Sequence, residues 1–205
     1  MKTKNYSILR IDASANISTS TSRKLGDEFI NRLKQQKPQL SLTYRDLSQP
    51  LPQLSDDWLK AYFGDETQDK EIQKAQLAQS DLLIEELKLA DEILLTTPMY
   101  NFSIPASLKA WIDLICRSGV TFKYTEKGPV GLIKNKKVNI IISTGGVPVQ
   151  SQMDFASDYL IQVLNFIGLD DVNIIAADQM NIDAEASLHK AKSQIDNLFK
   201  YRLVA

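Results

Sequence analysis

Five short apolar runs, separated by segments with helical periodicity, constrain the fold of this chain more than any other feature of its sequence. The runs are rich in β-branched residues, and they predict strands at residues 7–11, 40–44, 92–96, 138–143 and 172–176. In the last three runs the apolar residues are largely consecutive instead of alternating with polar ones. Consecutive apolar residues are typical of strands that are covered on both faces.

Helical patterns fill the intervals between and after these runs. Apolar residues recur every three or four positions within residues 22–36, 70–89, 105–119, 155–167 and 184–201. The alternation predicts an α/β protein with one parallel sheet, right-handed crossovers and helices on both faces. Five strands favour the order 2-1-3-4-5 of a flavodoxin-like three-layer sandwich, in which a ligand lies beyond the carboxyl ends of the strands. Residues 47–67, which contain Pro50, Pro52 and Gly64, are predicted to form a long loop before the second helix.

The composition limits the partners of the chain. Its 205 residues suit a single domain spanning residues 1–205, and 24 basic against 25 acidic residues give no reason to expect nucleic acid or an anionic membrane as a partner. No apolar run approaches the roughly 20 residues that cross a bilayer, and the N-terminus lacks the pattern of a signal peptide. One cysteine and one histidine exclude an intramolecular disulfide and a Cys/His zinc cluster, so we expect no metal. We therefore expect a cytoplasmic protein that binds a small molecule or another protein.

The segment after the first predicted strand is rich in hydroxyl groups. Six of the eleven residues 12–22 are Ser or Thr, and a helix is predicted to begin there. Hydroxyls beside the free amides and the positive end of a helix dipole suit a phosphate group. The glycine motifs of dinucleotide and nucleoside triphosphate sites are absent, which favours a terminal monophosphate. An ordinary N-cap followed by a polar loop is the alternative interpretation.

Two further segments follow the third and fourth predicted strands. Met99, Tyr100 and Phe102 surround Asn101, and such an apolar wall with exposed backbone amides suits a flat heteroaromatic ring, although packing under neighbouring loops explains it equally well. The sequence Ser143-Thr144-Gly145-Gly146 allows the backbone to approach a ligand closely or to adopt positive φ, and a tight turn is the alternative. The predicted topology brings all three segments to the same edge of the sheet.

The longer motifs resemble one enzyme family. They are Pro-Met-Tyr-Asn-Phe at 98–102, Leu-Lys-x-Trp-Ile-Asp at 108–113, Gly-Val-Thr-Phe-x-Tyr-Thr-Glu at 119–126, Ser-x-Gly-Gly at 143–146 and Asn-Phe-Ile-Gly at 165–168. Together with the Ser/Thr segment, they resemble the bacterial FMN-dependent NADH:quinone oxidoreductase and azoreductase family, which is flavodoxin-like. The resemblance covers nearly the whole chain.

The resemblance implies a role for individual positions. Residues that match the FMN phosphate and ribityl positions are Ser14, Ser20, Thr21 and Ser22. Residues that match the loop under the flavin ring are Met99, Tyr100, Asn101 and Phe102, with the Asn101 amide near flavin N5. Residues that match the loop along the pyrimidine edge are Ser143, Thr144, Gly145 and Gly146. The aromatic residues Tyr124 and Phe166 resemble those that border the substrate pocket.

The resemblance also implies an activity and an assembly. NADH would reduce the bound FMN and leave, and a quinone or an aromatic azo compound would then take two electrons in the same place, which predicts ping-pong kinetics. FMN carries the redox chemistry, so no side chain is expected to act as a catalyst. The family is homodimeric with two FMN sites at the subunit interface. Trp111, Ile115 and residues 120–124 are candidates for that interface, and packing within the core of one chain is the alternative.

Two other functions are alternatives to this enzyme. A flavodoxin-type electron carrier would bind FMN without reacting with NADH, but such carriers tend to be shorter and strongly acidic, whereas this chain has a net charge of −1. A phospho-accepting receiver domain has the same strand order but requires an acidic pair after the first strand, where this chain has Asp12 alone.

We also expect Gly145→Val to weaken FMN retention, because the added Cβ would meet the edge of the flavin ring.

Overall fold

The computed structural model describes residues 5–64, 66–67 and 69–202. The strands are β1 Ser7–Asp12, β2 Ser41–Asp46, β3 Glu92–Pro98, β4 Phe122–Thr125, β5 Gly128–Gly131, β6 Lys137–Ser143 and β7 Asp171–Ala177. The helices are α1 Thr21–Gln36, α2 Asp56–Phe63, α3 Lys70–Leu89, α4 Ala106–Ile115, α5 Ser157–Ile167 and α6 Ala184–Arg202. No helix in these described ranges is long and apolar enough to cross a membrane.

The main sheet has five strands in the order β2-β1-β3-β6-β7, and all four pairings are parallel. Counted along the chain without the β4–β5 hairpin, this is the predicted order 2-1-3-4-5, so the predicted strand count and order are confirmed. The direction in which successive strands are added to the sheet reverses between β1 and β3, where Asp12 lies opposite Thr96. The loops after β1, β3 and β6 consequently leave the sheet side by side at its carboxyl edge.

Each face of the sheet carries its own hydrophobic core. Ile140 and Ile142 of β6 belong to the core that includes apolar residues of α3, α4 and α5. Ile141, between them, belongs to the core that includes residues of α1 and α6. All three side chains are fully buried, and burying one isoleucine contributes roughly 1.5–3 kcal/mol. The consecutive apolar run of β6 is therefore explained by helices on both faces.

The sequence did not predict helix α2, which lies within the segment expected to be a long loop. Ser55 caps its first turn by accepting a hydrogen bond from the amide of Trp58 at 3.2 Å. Gly64 ends the helix in the left-handed conformation, with φ of 74°. Trp58 is buried in the core beside α3, and this packing stabilises a helix of only eight residues.

The β4–β5 hairpin was also missed. A two-residue connection joins its strands, and Gly128 follows it at φ of 108°. Gly131 packs backbone to backbone on the end of α5, because a Cβ placed on Gly131 would lie 2.1 Å from the amide nitrogen of Gly168. Such a short hairpin gains its stability from this contact with the rest of the chain.

Helices α4 and α5 differ from their predicted bounds. Pro105 is the N-cap of α4 and not its first helical residue, and the helix ends at Ile115, before the predicted stop at Gly119. Helix α5 begins at Ser157, two residues later than predicted. Its start is set by the Asp154 carboxylate, which accepts hydrogen bonds from the amides of Ala156 at 2.8 Å and Ser157 at 2.9 Å.

Candidate functional site

Three loops meet at the carboxyl edge of the sheet. We call them the first loop (residues 13–20), the second loop (residues 99–105) and the third loop (residues 144–150). The Met99 amide donates to the Ser143 carbonyl at 2.8 Å, which joins the second loop to the start of the third. The Ala15 amide donates to the Tyr100 hydroxyl at 3.3 Å, which joins the first loop to the second. The structure thus brings together the three segments that the sequence pointed to.

The first loop leads directly into the N-terminus of α1. Ser20 is the N-cap, and its hydroxyl lies 3.4 Å from the Arg23 amide and 3.1 Å from the Ser22 hydroxyl. Ser14, Ser20 and Ser22 are buried, whereas Thr21 is half-buried. The serines therefore act mainly as capping and packing groups, and the loop presents the helix N-terminus and the Thr21 side chain to its surroundings.

A buried network of charged side chains lies beneath the first loop. Arg10 Nε and Nη2 donate to the two oxygens of Asp12 at 3.0 and 2.9 Å. Arg23 pairs with both oxygens of Asp46, at 2.6 and 3.1 Å. The sequence analysis did not predict this network. Its sequence signal was the presence of two charged residues, Arg10 and Asp12, among the apolar residues of a predicted strand, since buried charges require partners.

The network changes the proton affinities of its members. Burial lowers the pKa of the Arg10 guanidinium, but hydrogen bonds and charge from Asp12 and Asp27 outweigh this and raise it. Burial and the Asp12 carboxylate raise the pKa of Tyr44 to about 12. Burial alone would raise the pKa of Asp46, but hydrogen bonds from Arg23 and Ser48 outweigh it and lower the pKa to about 2. The Arg10 and Arg23 guanidinium groups and the Asp46 carboxylate are therefore charged, and Tyr44 is neutral, at neutral pH.

The second loop contains a tight turn with unusual backbone geometry. Tyr100 and Ser103 exchange two backbone hydrogen bonds of 2.9 and 3.0 Å across the turn. Asn101 and Phe102 between them have φ of 47° and 72°, in the left-handed region that side chains seldom adopt. Within the part of the chain that the structure describes, the amides of these two residues donate no backbone hydrogen bond. The turn therefore presents two free amide donors, flanked by the exposed rings of Tyr100 and Phe102.

The third loop is held by its own contacts and by residues after β7. The buried Thr144 hydroxyl donates to the Val147 carbonyl and accepts from the Gln179 amide at 3.0 Å. The carboxylate of Asp178 accepts a hydrogen bond from the Val149 amide at 3.0 Å. The Thr144 amide donates to the Ala177 carbonyl at 3.1 Å, and its carbonyl accepts from the Met180 amide at 3.0 Å. Both the side chain and the backbone of Thr144 are therefore used within the protein.

Gly145 has a close neighbour that the sequence did not predict. A Cβ on Gly145 would lie 2.7 Å from the Asn181 side-chain nitrogen, so within the protein it would meet this neighbour. A Cβ on Gly146 would meet no atom within 4 Å. Neither Gly145 nor Gly146 has positive φ. Gly145 therefore allows close packing against Asn181, and the backbone of Gly146 is left open. Gly145→Val would disturb the loop by displacing Asn181.

Tyr124 and Phe166 lie away from the three loops of their own chain. Phe166 is near the end of α5, which leads into β7 at the edge where the strands begin, and the Ile167 carbonyl accepts from the Ile133 amide at 2.9 Å. The Phe122 ring joins the two aromatics, 4.3 Å from Phe166 and 5.7 Å from Tyr124. Because the strands have six or seven residues, this edge lies about 20 Å from the loops. One chain does not bring these aromatics into its own candidate site.

The interface candidates on α4 also need a correction. Trp111 and Ile115 are 1% and 0% exposed within a single chain, and both belong to the core. They cannot contact a second subunit, so the alternative interpretation of packing within one chain is confirmed for them. The exposed apolar residues near this region lie on the hairpin, where Tyr124 is 71% exposed.

Two exposed apolar residues near the second loop were missed. The amide of Phe155 donates to the Phe102 carbonyl at 3.0 Å, so the segment before α5 borders the second loop. Phe155 and Met153 are both largely exposed. The sequence signal for Met153 and Phe155 was the presence of large apolar side chains in a polar loop that follows a strand.

A cavity of about 700 Å³ lies at the opposite edge of the sheet. Tyr6, Asp91 and Lys137, which lie at the starts of three strands, line it together with Lys37 and Asn135. Its residues carry both signs of charge. It is separated from the three loops by the length of the strands, so it is not part of the candidate site.

The sheet order and the three loops at its carboxyl edge define a flavodoxin-like protein. A family model described as "Flavodoxin-like fold" matches residues 6–199. Among solved structures, an FMN-dependent NADH-azoreductase from Bacillus anthracis str. Ames Ancestor in complex with FMN has 25% identity and a TM-score of 0.86, covering 98% of this chain and 100% of that one. The azoreductase from Bacillus anthracis str. Sterne has 25% identity and a TM-score of 0.83, with 96% and 98% covered.

Similar sequences narrow the class to one family. An FMN-dependent NADH:quinone oxidoreductase 1 of Hahella chejuensis (strain KCTC 2396) is 48% identical over 188 residues, which are 92% of each chain. An FMN-dependent NADH:quinone oxidoreductase of Herminiimonas arsenicoxydans is 46% identical over 204 residues, covering 97% of this chain and 98% of that one. This chain therefore belongs to the family of FMN-dependent NADH:quinone oxidoreductases, and the resemblance inferred from its motifs is confirmed.

Proposed function

We propose that this chain is an FMN-dependent enzyme that oxidises NADH and reduces quinones, and that it also cleaves aromatic azo compounds. The observation that carries the proposal is the meeting of three loops at one edge of the sheet, with two free amides in the left-handed turn of the second loop. The names of the similar proteins supply the cofactor, the donor and the acceptor classes. We further propose that residues 1–205 form one domain, and the use of NADH favours action in the cytoplasm.

The residues present fit FMN. The first loop and the N-terminus of α1 offer donors for a phosphate, and no acidic side chain lies in the first turn of α1. The Nε atom of Arg23, beneath this loop, is buried and has no hydrogen-bond partner within the described chain, so the region holds an unused donor. Tyr100 and Phe102 offer flat apolar surface beside the second loop.

When bound, FMN supplies two-electron hydride chemistry between NADH and the acceptor. In our proposal the Asn101 amide orients the ring, and the third-loop amides stabilise negative charge at its pyrimidine edge. The exposed edges of the second and third loops would exclude water from a substrate that stacks on the flavin ring. No side chain of this chain is required to accept or donate a proton as a catalyst.

We also propose that the enzyme is a homodimer whose substrate pocket is completed by the second copy. Tyr124 and Phe166 lie about 20 Å from the loops of their own chain, so they reach a substrate only at the site of a partner. The hairpin that carries Tyr124 also exposes Val130 and Leu132. An exposed apolar hairpin of this kind is typical of a surface that binds another protein.

The test is the reaction of purified protein with NADH. Protein loaded with FMN should be yellow, should bleach rapidly when mixed with NADH without oxygen, and should regain its colour when a benzoquinone is added. An aromatic azo dye in place of the quinone should yield the corresponding amines. A yellow protein that is indifferent to NADH would instead support the flavodoxin-type electron carrier. A protein that does not bind FMN at micromolar concentration would contradict both functions.

A further inference from the structure

The Arg23 guanidinium connects three parts of the chain beneath the first loop. Its Nη2 donates to the Ser14 carbonyl at 2.7 Å and to Asp46 Oδ1 at 2.6 Å. Its Nη1 donates to the Tyr44 hydroxyl at 2.9 Å and to Asp46 Oδ2 at 3.1 Å. Arg23 is 6% exposed and lies in the first turn of α1. A single side chain therefore links this turn to the first loop and to strand β2.

Arg23 is itself held in place by the second ion pair. Arg10 Nη2 donates to the Arg23 backbone carbonyl at 2.9 Å while it pairs with Asp12. Asp12 also accepts hydrogen bonds from Thr96 at 2.8 Å and from Tyr44 at 3.0 Å. Because these groups are buried, leaving any of the charges unpaired is unfavourable. The guanidinium consequently has one strongly preferred position.

This position fixes the peptide bond between Ser14 and Ala15. A trans peptide directs its carbonyl and its N–H to opposite sides. Arg23 holds the Ser14 carbonyl, and the Ala15 N–H on the other side donates to the Tyr100 hydroxyl at 3.3 Å. The peptide is therefore clamped between the charge network and the second loop. Its orientation determines where the remaining donors of the first loop point.

We propose that Arg23 is a positioning residue that orients the first loop for the phosphate of FMN, acting through the Ser14 carbonyl. The inference rests on the proposed function, because it assumes that FMN binds at these loops. It assigns to this arginine an effect on the phosphate end of the ligand that is separable from the general stability of the chain. A purely structural role would weaken the binding of every flavin equally.

The test compares FMN with riboflavin, which has the same ring and ribityl chain but no phosphate. Arg23→Lys keeps a charge for Asp46 but loses the planar fork that reaches Ser14 and Asp46 together. Titrations that follow flavin fluorescence should show an FMN dissociation constant raised by about tenfold, since a hydrogen bond from a charged group is lost. The riboflavin dissociation constant should change by less than about twofold.

The matched control is Phe29→Leu, a substitution in the same helix. Phe29 is fully buried in the core that includes residues of α1 and α6, where its ring lies 5.0 Å from that of Phe199. This variant should lower the unfolding midpoint but keep the wild-type ratio of the two dissociation constants. If Arg23→Lys does not fold, Asp46→Asn provides the answer, because it loosens Arg23 and should lower FMN affinity selectively.

The outcomes separate the two proposals. Wild-type protein that binds FMN, together with a folded Arg23 or Asp46 variant that keeps the wild-type ratio, would overturn the positioning role alone. Wild-type protein that binds neither flavin would overturn the proposed function and this inference with it. A selective loss of FMN affinity in the variant, absent from Phe29→Leu, is the result that we expect.

Discussion

At the scale of single residues, the unusual backbone conformations are concentrated at the candidate site. Among the described residues five non-glycine positions have positive φ: Asn101, Phe102, Asn135, Gln150 and Gln179. All except Asn135 lie in or beside the loops at the carboxyl edge of the sheet. Strain of this kind costs of order 1–3 kcal/mol per residue, and it persists where the surrounding structure enforces it for function. The turn at Asn101 is the most direct example, because its geometry frees two amides.

The role of Asn101 is predicted to depend on its backbone and not on its side chain. Asn101→Gly keeps the amide and accepts positive φ without strain, so FMN affinity and the rate of bleaching by NADH should remain within about twofold of wild type. Asn101→Val places a β-branched residue at φ of 47°, which should weaken FMN binding by about tenfold or more. FMN titration and stopped-flow reduction measure both effects. Equal losses in the two variants would show that the side chain is the important group.

At the scale of elements, the hairpin and helix α5 behave as one unit. The Gly131 backbone packs on Gly168, and the Phe122 ring packs on Phe166 at 4.3 Å. The Gly168 Cα has no space for a side chain either, since a Cβ there would lie 2.5 Å from the Ile133 carbonyl. Small residues at both positions therefore allow a backbone contact that determines where Tyr124 is held.

We predict that Gly131→Ala separates the hairpin from α5. The added Cβ would meet backbone atoms that cannot move aside, so the free energy of unfolding should fall by about 2–3 kcal/mol. Dimer formation should weaken in parallel, because the exposed face of the hairpin is displaced. Val130→Ala, an exposed neighbour on the same strand, is the control and should change stability little. Urea unfolding and light scattering after gel filtration give the two readouts, and unchanged values for Gly131→Ala would contradict the prediction.

At the scale of the whole molecule, the chain separates two halves of the proposed pocket. The three loops lie at the carboxyl edge of the sheet, and Tyr124 and Phe166 lie at the amino edge. A twofold dimer repeats every contact, so in the proposed dimer the loops of each copy would lie beside the aromatics of the other. The proposal therefore predicts two identical, composite sites per dimer.

Subunit mixing tests the composite site. One variant carries Asn101→Val, which damages the loops, and the other carries Tyr124→Ala with Phe166→Ala, which damages the aromatic border. Each alone should have low quinone reductase activity. After the two are mixed and allowed to exchange subunits, half of the dimers are mixed and roughly a quarter of all sites regain both intact halves. Activity that stays at the level of the separate variants would show that each site belongs to one chain.

The sequence predicted the sheet and the meeting of the loops, because apolar periodicity and strand order depend on local patterns and general topology. It did not predict the pairing of Arg23 with Asp46, since long-range side-chain partners have no local signal. Helix α2 and the hairpin were missed because short elements depend on tertiary packing. The close approach of Gly145 to Asn181 was missed for a similar reason, because Asn181 belongs to a loop that is distant in the sequence.

The bond between the Met99 amide and the Ser143 carbonyl extends the pairing of β3 and β6 into the loops that follow them. Two walls of the proposed flavin cleft therefore share the rigidity of the central strands, and neither opens without fraying the sheet end. We expect slow escape of the ligand as a result. The flavin would then stay through many turnovers as a prosthetic group, and only the pyridine nucleotide and the acceptor would exchange.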